Sequence, residues 1–215
     1  MPVTIKSRSR LSRYEVRVFV YQKPDGSVDY RHAYLLGWPL CPASGGCIHE
    51  VDASSGQAAK GAAIRQHRSL CERQVPCISL YQPWASLLVP PHGRHRLKIN
   101  ETRGFAPPAD LLGMRFVIHA AQRDEYVPLL LERLCYGNNM PPAHLPRGVA
   151  LGTARMTAVG QMPEAKPADG SDLTCGNWEP GRFAWRFEED YPFPEPIPLR
   201  GRQGIFWESA ESLGL

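Results

Sequence analysis

The chain has 215 residues, 43% of them hydrophobic and 21% charged, a balance that builds a packed core in one large or two small domains and excludes global disorder. Its formal net charge of +4 permits a nucleic-acid partner without demanding one. No apolar run reaches the ~18 residues of a membrane span, and the first residues carry no signal-peptide stretch, so a cytoplasmic, non-membrane protein with reduced thiols is expected.

In chain order, Lys6, Arg8, Arg10 and Arg13 make a basic N-terminal arm. Residues 14–21 are β-branched and aromatic, Pro24-Asp25-Gly26 is turn chemistry, and extended character resumes from Val28 to Leu36. This reads as a β-hairpin. Residues 40–46 form a Pro/Gly/Ser loop. A Ser or Asp cap then opens a helix from Gln57 to Cys71. The first 72 residues therefore read as a small ββα accessory unit behind the basic arm.

From residue 73 the texture changes. Strands are expected over 75–81, 97–103, 114–119, 148–159, 182–188 and 204–208, with helices over 83–89 and 123–135. The strongest periodicity lies where Phe183, Trp185 and Phe187 alternate with Arg182, Ala184, Arg186 and Glu188. Many short strands with interrupting helices suggest an α+β domain built on a closed or nearly closed β-barrel with flanking helices, spanning 73–215.

Two blocks carry the chemistry. Gln82-Pro83-Trp84 presents a π face on which a base could stack, and Lys98-Ile99-Asn100-Glu101-Thr102-Arg103 holds two cations around a carboxylate. Lys98 and Arg103 suit phosphate, and Glu101 suits an exocyclic amine. Strand alternation puts Glu101 and Arg103 on one face and Lys98 on the other, so uniting Lys98 with Glu101 needs a bend. Alternatively, Trp84 is core and Glu101–Arg103 a surface ion pair of little worth. The basic loop Arg94, His95 and Arg96 could hold a nucleic-acid backbone, and His119 ends a strand as a candidate ligand-binding residue.

Cys41, Cys47 and His49 are read in one loop, with His67 and Cys71 at i and i+4 on the helix. Zinc accepts such ligands, but the spacings match no common zinc module, so free thiols, no metal and no cofactor are expected.

The 75–208 stretch resembles the ASCH family of PUA-like β-barrels. It carries Gln82-Pro83-Trp84-Ala85-Ser86-Leu87-Leu88, then Lys98-x-x-Glu101-Thr102-Arg103, then Val117-Ile118-His119-Ala120, and closes on Gly181-Arg182-Phe183-Ala184-Trp185 and Gly201-x-Gln203-Gly204-Ile205-Phe206. One departure is visible: four residues, not one, separate Gly93 from Lys98. The resemblance implies a PUA-like barrel whose cleft binds RNA or a modified nucleotide through Gln82, Trp84, Lys98, Glu101, Arg103 and His119. It also raises a hydrolase alternative, acting on N4-acylcytidine-type nucleosides or on RNA as a ribonuclease, with Lys98, Glu101 and Thr102 as candidate catalytic residues. In the deacylating members a threonine stands three residues after the lysine; here that place is Glu101, and Thr102 is one step off register. A third reading is a modified-base reader on DNA, which must flip its base. The sequence leaves the oligomeric state open.

Overall fold

The computed structural model describes residues 11–24, 28–37, 41, 46–123, 125–168 and 170–215. The basic arm up to residue 10 and most of the hairpin turn lie outside these. Arg13, at the arm's end, is exposed and 3.7 Å from both Glu50 and Asp52. The chain divides into two compact units, 1–74 and 75–215.

The first unit is a three-stranded antiparallel sheet with one helix. Strands β1 (Ser12–Gln22), β2 (Val28–Leu35) and β3 (Cys47–Ala53) lie in the order β2-β1-β3. Helix α1 (Gly56–Leu70) starts on Ser55, whose hydroxyl accepts from Ala58 N at 3.2 Å. The expected ββα unit therefore lacked a strand. β3 alternates, burying His49 and Ala53 while Ile48, Glu50 and Asp52 are exposed. Its inward positions are a histidine and small or β-branched residues, and its one large aliphatic, Ile48, faces solvent, so the usual apolar signal is missing. Val16, Val18, Ala33, Leu35, Ala53, Ala59 and Ala63 form the core beneath the helix.

The second unit is a mixed sheet of six strands in the order β5-β8-β7-β6-β4-β9. They are β4 (Gln74–Leu80), β5 (Asn100–Arg103), β6 (Arg115–Ala120), β7 (Val149–Gln161), β8 (Phe183–Pro198) and β9 (Ile205–Ser209). Helices α2 (Trp84–Leu88), α3 (Leu129–Gly137) and α4 (Ser171–Thr174) interrupt them. β4 and β6 run parallel, with Ser79 opposite His119; the β5–β8, β6–β7 and β7–β8 pairs are antiparallel. The expected barrel is not closed among the described residues: the sheet ends in β5 and β9, which do not pair with each other, and closure needs every strand to have two neighbours.

Two boundaries moved for reasons of proline chemistry. α3 begins at Leu129, not Arg123, because Pro128 restricts the residue before it to extended backbone. β8 runs on to Pro198, well beyond Glu188. Prolines 192, 194, 196 and 198 fall on alternate positions, so the donors they lack face one edge and the other remains able to pair. Where β7 and β8 bulge past each other, Gly152 leaves room: a Cβ there would fall 2.6 Å from Pro192 Cα. The core gathers Ile78, Leu80, Phe116, Ile118, Met156, Trp185 and Phe187, each burial worth about 1.5–3 kcal/mol. Among the described residues, no helix is long and apolar enough to cross a membrane.

Candidate nucleic-acid interface

The parallel pair β4 and β6 brings Ser79 and His119 side by side at their carboxyl ends, the place where parallel strands usually open a ligand crevice. The connector after β6 adds Ala121, Gln122 and Arg123, and the β8–β9 connector adds Leu199 to Gly204. With Tyr81 and Arg103 they line a cleft of about 1120 Å³. That exceeds the roughly 300–1,000 Å³ of a small-ligand pocket, so it suits an extended ligand. Among the described residues its lining contains four arginines, Arg103, Arg123, Arg200 and Arg202, and no carboxylate. Two of them have acidic partners behind the lining: Glu101 lies 2.9 Å from Arg103 Nε, and Glu208 lies 3.8 Å from an exposed Arg202.

His119 is buried and held at both nitrogens. Nε2 lies 3.0 Å from Leu199 O, and Nδ1 lies 3.0 Å from Ser79 Oγ. A carbonyl only accepts, so Nε2 carries a proton; the single Ser79 hydroxyl proton is shared between His119 Nδ1 and Arg202 O, each 3.0 Å from Ser79 Oγ. Burial holds the imidazole pKa below its ordinary value, partly offset by the Leu199 bond. Gly201 completes the packing: a Cβ there would fall 2.5 Å from His119 Nδ1 and 2.9 Å from Ser79 Oγ. The arginine-bearing loop is thus fastened to the sheet through a neutral histidine.

A pH dependence follows. The folded pKa lies below the unfolded value, so below about pH 6.5 the unfolded state binds more protons. The stability due to neutral His119 is complete above that value and is lost as pH falls toward the folded pKa. Amide exchange in residues 199–204, corrected for its intrinsic pH dependence, is expected to accelerate between about pH 7.5 and about pH 5.5. Unchanged corrected rates would contradict a neutral His119.

Of the residues singled out from sequence, Arg103 and His119 line this cleft; the others do not. Lys98 is 1% exposed. Its Nζ donates to Asn100 O at 2.6 Å and Cys175 O at 2.8 Å, and lies 3.2 Å from Glu101 Oε2. All three ammonium protons therefore have protein partners. The required bend exists because Lys98 precedes β5 instead of belonging to it. Glu101 and Arg103 do share a face, and Arg103 Nη2 donates to Ser79 O at 2.8 Å. Lys98, Glu101 and Arg103 thus form a charged chain running from the interior to the cleft wall.

Thr102 is buried, its hydroxyl accepting from Asn177 N at 3.0 Å. Gln82 is buried as well: its Nε2 donates to Ser86 Oγ and Pro146 O, and its Oε1 accepts from Ser86 N. Trp84 packs half-buried against two core clusters and offers the cleft no wall; Tyr81, 39% exposed, is the aromatic that does. Arg96 is tied to Lys98 O, Phe187 O and Asp190, while Arg94 and His95 are exposed away from the lining.

Sequence reasoning missed Asp172, which aligns the motif strand. Its buried carboxylate accepts from Ile99 N, Asn100 N and Asn100 Nδ2 at 2.7, 3.0 and 2.7 Å. It also missed Ser79, Tyr81, Gln122, Arg123, Arg200 and Arg202. Only the Gly201-x-Gln203-Gly204 block marked that loop in advance.

No protein-family model and no curated protein sequence matches the chain. Among solved structures, the crystal structure of ASCH from Zymomonas mobilis is similar at 19% identity, over 65% of this chain and 90% of that one, with a TM-score of 0.42. A likeness of that strength assigns neither family nor function.

Proposed function

We propose that the 75–215 unit binds RNA, or a modified nucleotide within it, in the cleft between β4, β6 and the 199–204 loop. The observation that carries this reading is the lining itself: among the described residues, four arginines, no carboxylate and one half-exposed tyrosine around the cavity. Arginines hold phosphates in bidentate fashion, and an aromatic face stacks a base for about 1–3 kcal/mol. The resemblance of the motif blocks to the ASCH family supports the same ligand class. Gln122 and Gln203 also line the cleft, and their amides carry the donors and acceptors that base edges match.

The test is binding of a labelled single-stranded RNA of a dozen nucleotides, followed by fluorescence anisotropy across a salt series. Three to four phosphate contacts give a log K against log[salt] slope of about −2 to −3. Absence of association at low salt would remove the proposal, and equal affinity for single-stranded DNA would move it to the DNA reading.

A hydrolase reading keeps one specific support. Ser79 Oγ and His119 Nδ1 form a hydroxyl–imidazole pair at 3.0 Å in the cleft, the arrangement of a nucleophile beside its base. Lys98 and Thr102, buried and fully engaged, do not supply that chemistry. Acetate release from N4-acetylcytidine, lost in Ser79→Ala, would establish turnover; its absence alongside RNA binding leaves a recognition module.

A further inference from the structure

The N-terminal unit gathers residues that the sequence keeps apart. In β3, Cys47 and His49 alternate onto the helix-covered face, and on α1 and its C-cap His67 and Cys71 stand one turn apart. The ligand atoms of Cys47, His67 and Cys71 lie within 4.8 Å of one another. The rings of His49 and His67 meet nearly at right angles, with His49 Nε2 3.1 Å from His67 Nδ1 and both residues buried. Glu72 follows immediately. Its carboxylate is gripped by Arg31 through both oxygens, and its Oε1 lies 3.6 Å from His67 Nε2.

We propose that these residues form a zinc site, with Cys47 Sγ, Cys71 Sγ and a ring nitrogen of His67 as three ligands, and with His49, which lies beside His67 but outside that set, as the fourth once its ring turns toward the sulfurs. The ligand chemistry is a Cys₂His₂ set, which zinc takes tetrahedrally at about 2.0–2.1 Å to nitrogen and 2.3 Å to sulfur. Those lengths put two ligating nitrogens about 3.3 Å apart and two sulfurs about 3.8 Å apart. The His–His spacing already lies near the first value, and the sulfurs, within 4.8 Å of each other, need to close by at most about 1 Å. Two thiolates balance the dication, so the site, with its histidines buried and its cysteines exposed, carries no net charge.

The surroundings fit this role. Glu72 faces the second nitrogen of His67, where a carboxylate fixes a ligand ring's tautomer and direction, and Arg31 holds that carboxylate in place through both oxygens. The ion would join β3 to the end of α1, stapling a unit of about 74 residues, a size at which a core alone supplies little surplus stability.

The full chain, reduced and freed of metal, is titrated with Zn²⁺ and Co²⁺. One equivalent of zinc per chain is expected, and the cobalt form should show tetrahedral d–d bands with a thiolate-to-metal band. Cys41→Ser retains both signals; Cys71→Ser cuts the thiolate band to about half, and Cys47→Ser with Cys71→Ser abolishes it. Glu72→Gln weakens zinc about 10–100-fold. Should Cys71→Ser unfold, a mercurial titrant added to the wild-type protein must release the zinc as thiols are consumed. No uptake by the reduced protein, identical spectra for Cys41→Ser and Cys71→Ser, or zinc that stays bound once all thiols are blocked would each overturn the site.

Discussion

Lys98→Met is expected to lower the stability of the 75–215 unit by about 3–5 kcal/mol, the range for deleting one partner of a buried ion pair. Methionine matches the stem but not the ammonium. The carbonyls of Asn100 and Cys175 then lose their donor, and Glu101 keeps a single cation, Arg103. Urea denaturation should show a lower midpoint with an unchanged slope. RNA affinity per folded molecule should change little, because Lys98 does not reach the cleft. Had Lys98 been a site residue, the opposite pair of results would hold: intact stability and abolished binding.

The second large effect belongs to the loop between β8 and β9. Arg200 and Arg202 are exposed cleft residues, and the ion pair of Arg202 with Glu208 is long and solvated. The double variant Arg200→Ala, Arg202→Ala should therefore keep its stability within about 0.5 kcal/mol. Its RNA salt slope should flatten by about 1.4, two single-strand phosphate contacts at roughly 0.7 each. The exposed loop cations provide the contrast. Arg94→Ala leaves the slope unaltered if the phosphates lie in the cleft, and takes over the effect if they lie on the 94–96 loop.

How much of this was legible in the sequence differs by level. The alternation of Phe183, Trp185 and Phe187 placed the core side of β8, and Ser before an alanine-rich run placed α1 within a residue or two. β3 was not legible because its inward residues are a histidine and small or branched side chains, while a large aliphatic points outward. The tail of β8 was hidden by four prolines, which read as a linker until their alternate spacing is seen.

The site divides the same way. Residues 98–103 stood out because charges cluster there along the chain, yet clustering does not distinguish a binding site from an internal brace. Lys98, Thr102 and Gln82 are buried with protein partners; Arg103, at the end of the charged chain, lines the cleft. The cleft itself is assembled by strand order. β4 and β6 are 40 residues apart in sequence at Ser79 and His119 but adjacent in the sheet, and the closing loop comes from residues 199–204. No local pattern brings Arg123 beside Arg202. Likewise Cys47 and Cys71 approach only once a third strand exists to carry Cys47 under the helix.

The most direct measurement of the cleft assignment is photocrosslinking of a 4-thiouridine-substituted single-stranded RNA to the full chain, with the attached peptides identified by mass spectrometry. Crosslinks are expected at Tyr81 and within residues 198–204, and should disappear when unlabelled RNA competes. Crosslinks concentrated at Trp84 or residues 94–98, with Tyr81 and the 198–204 loop unmodified, would contradict the assignment.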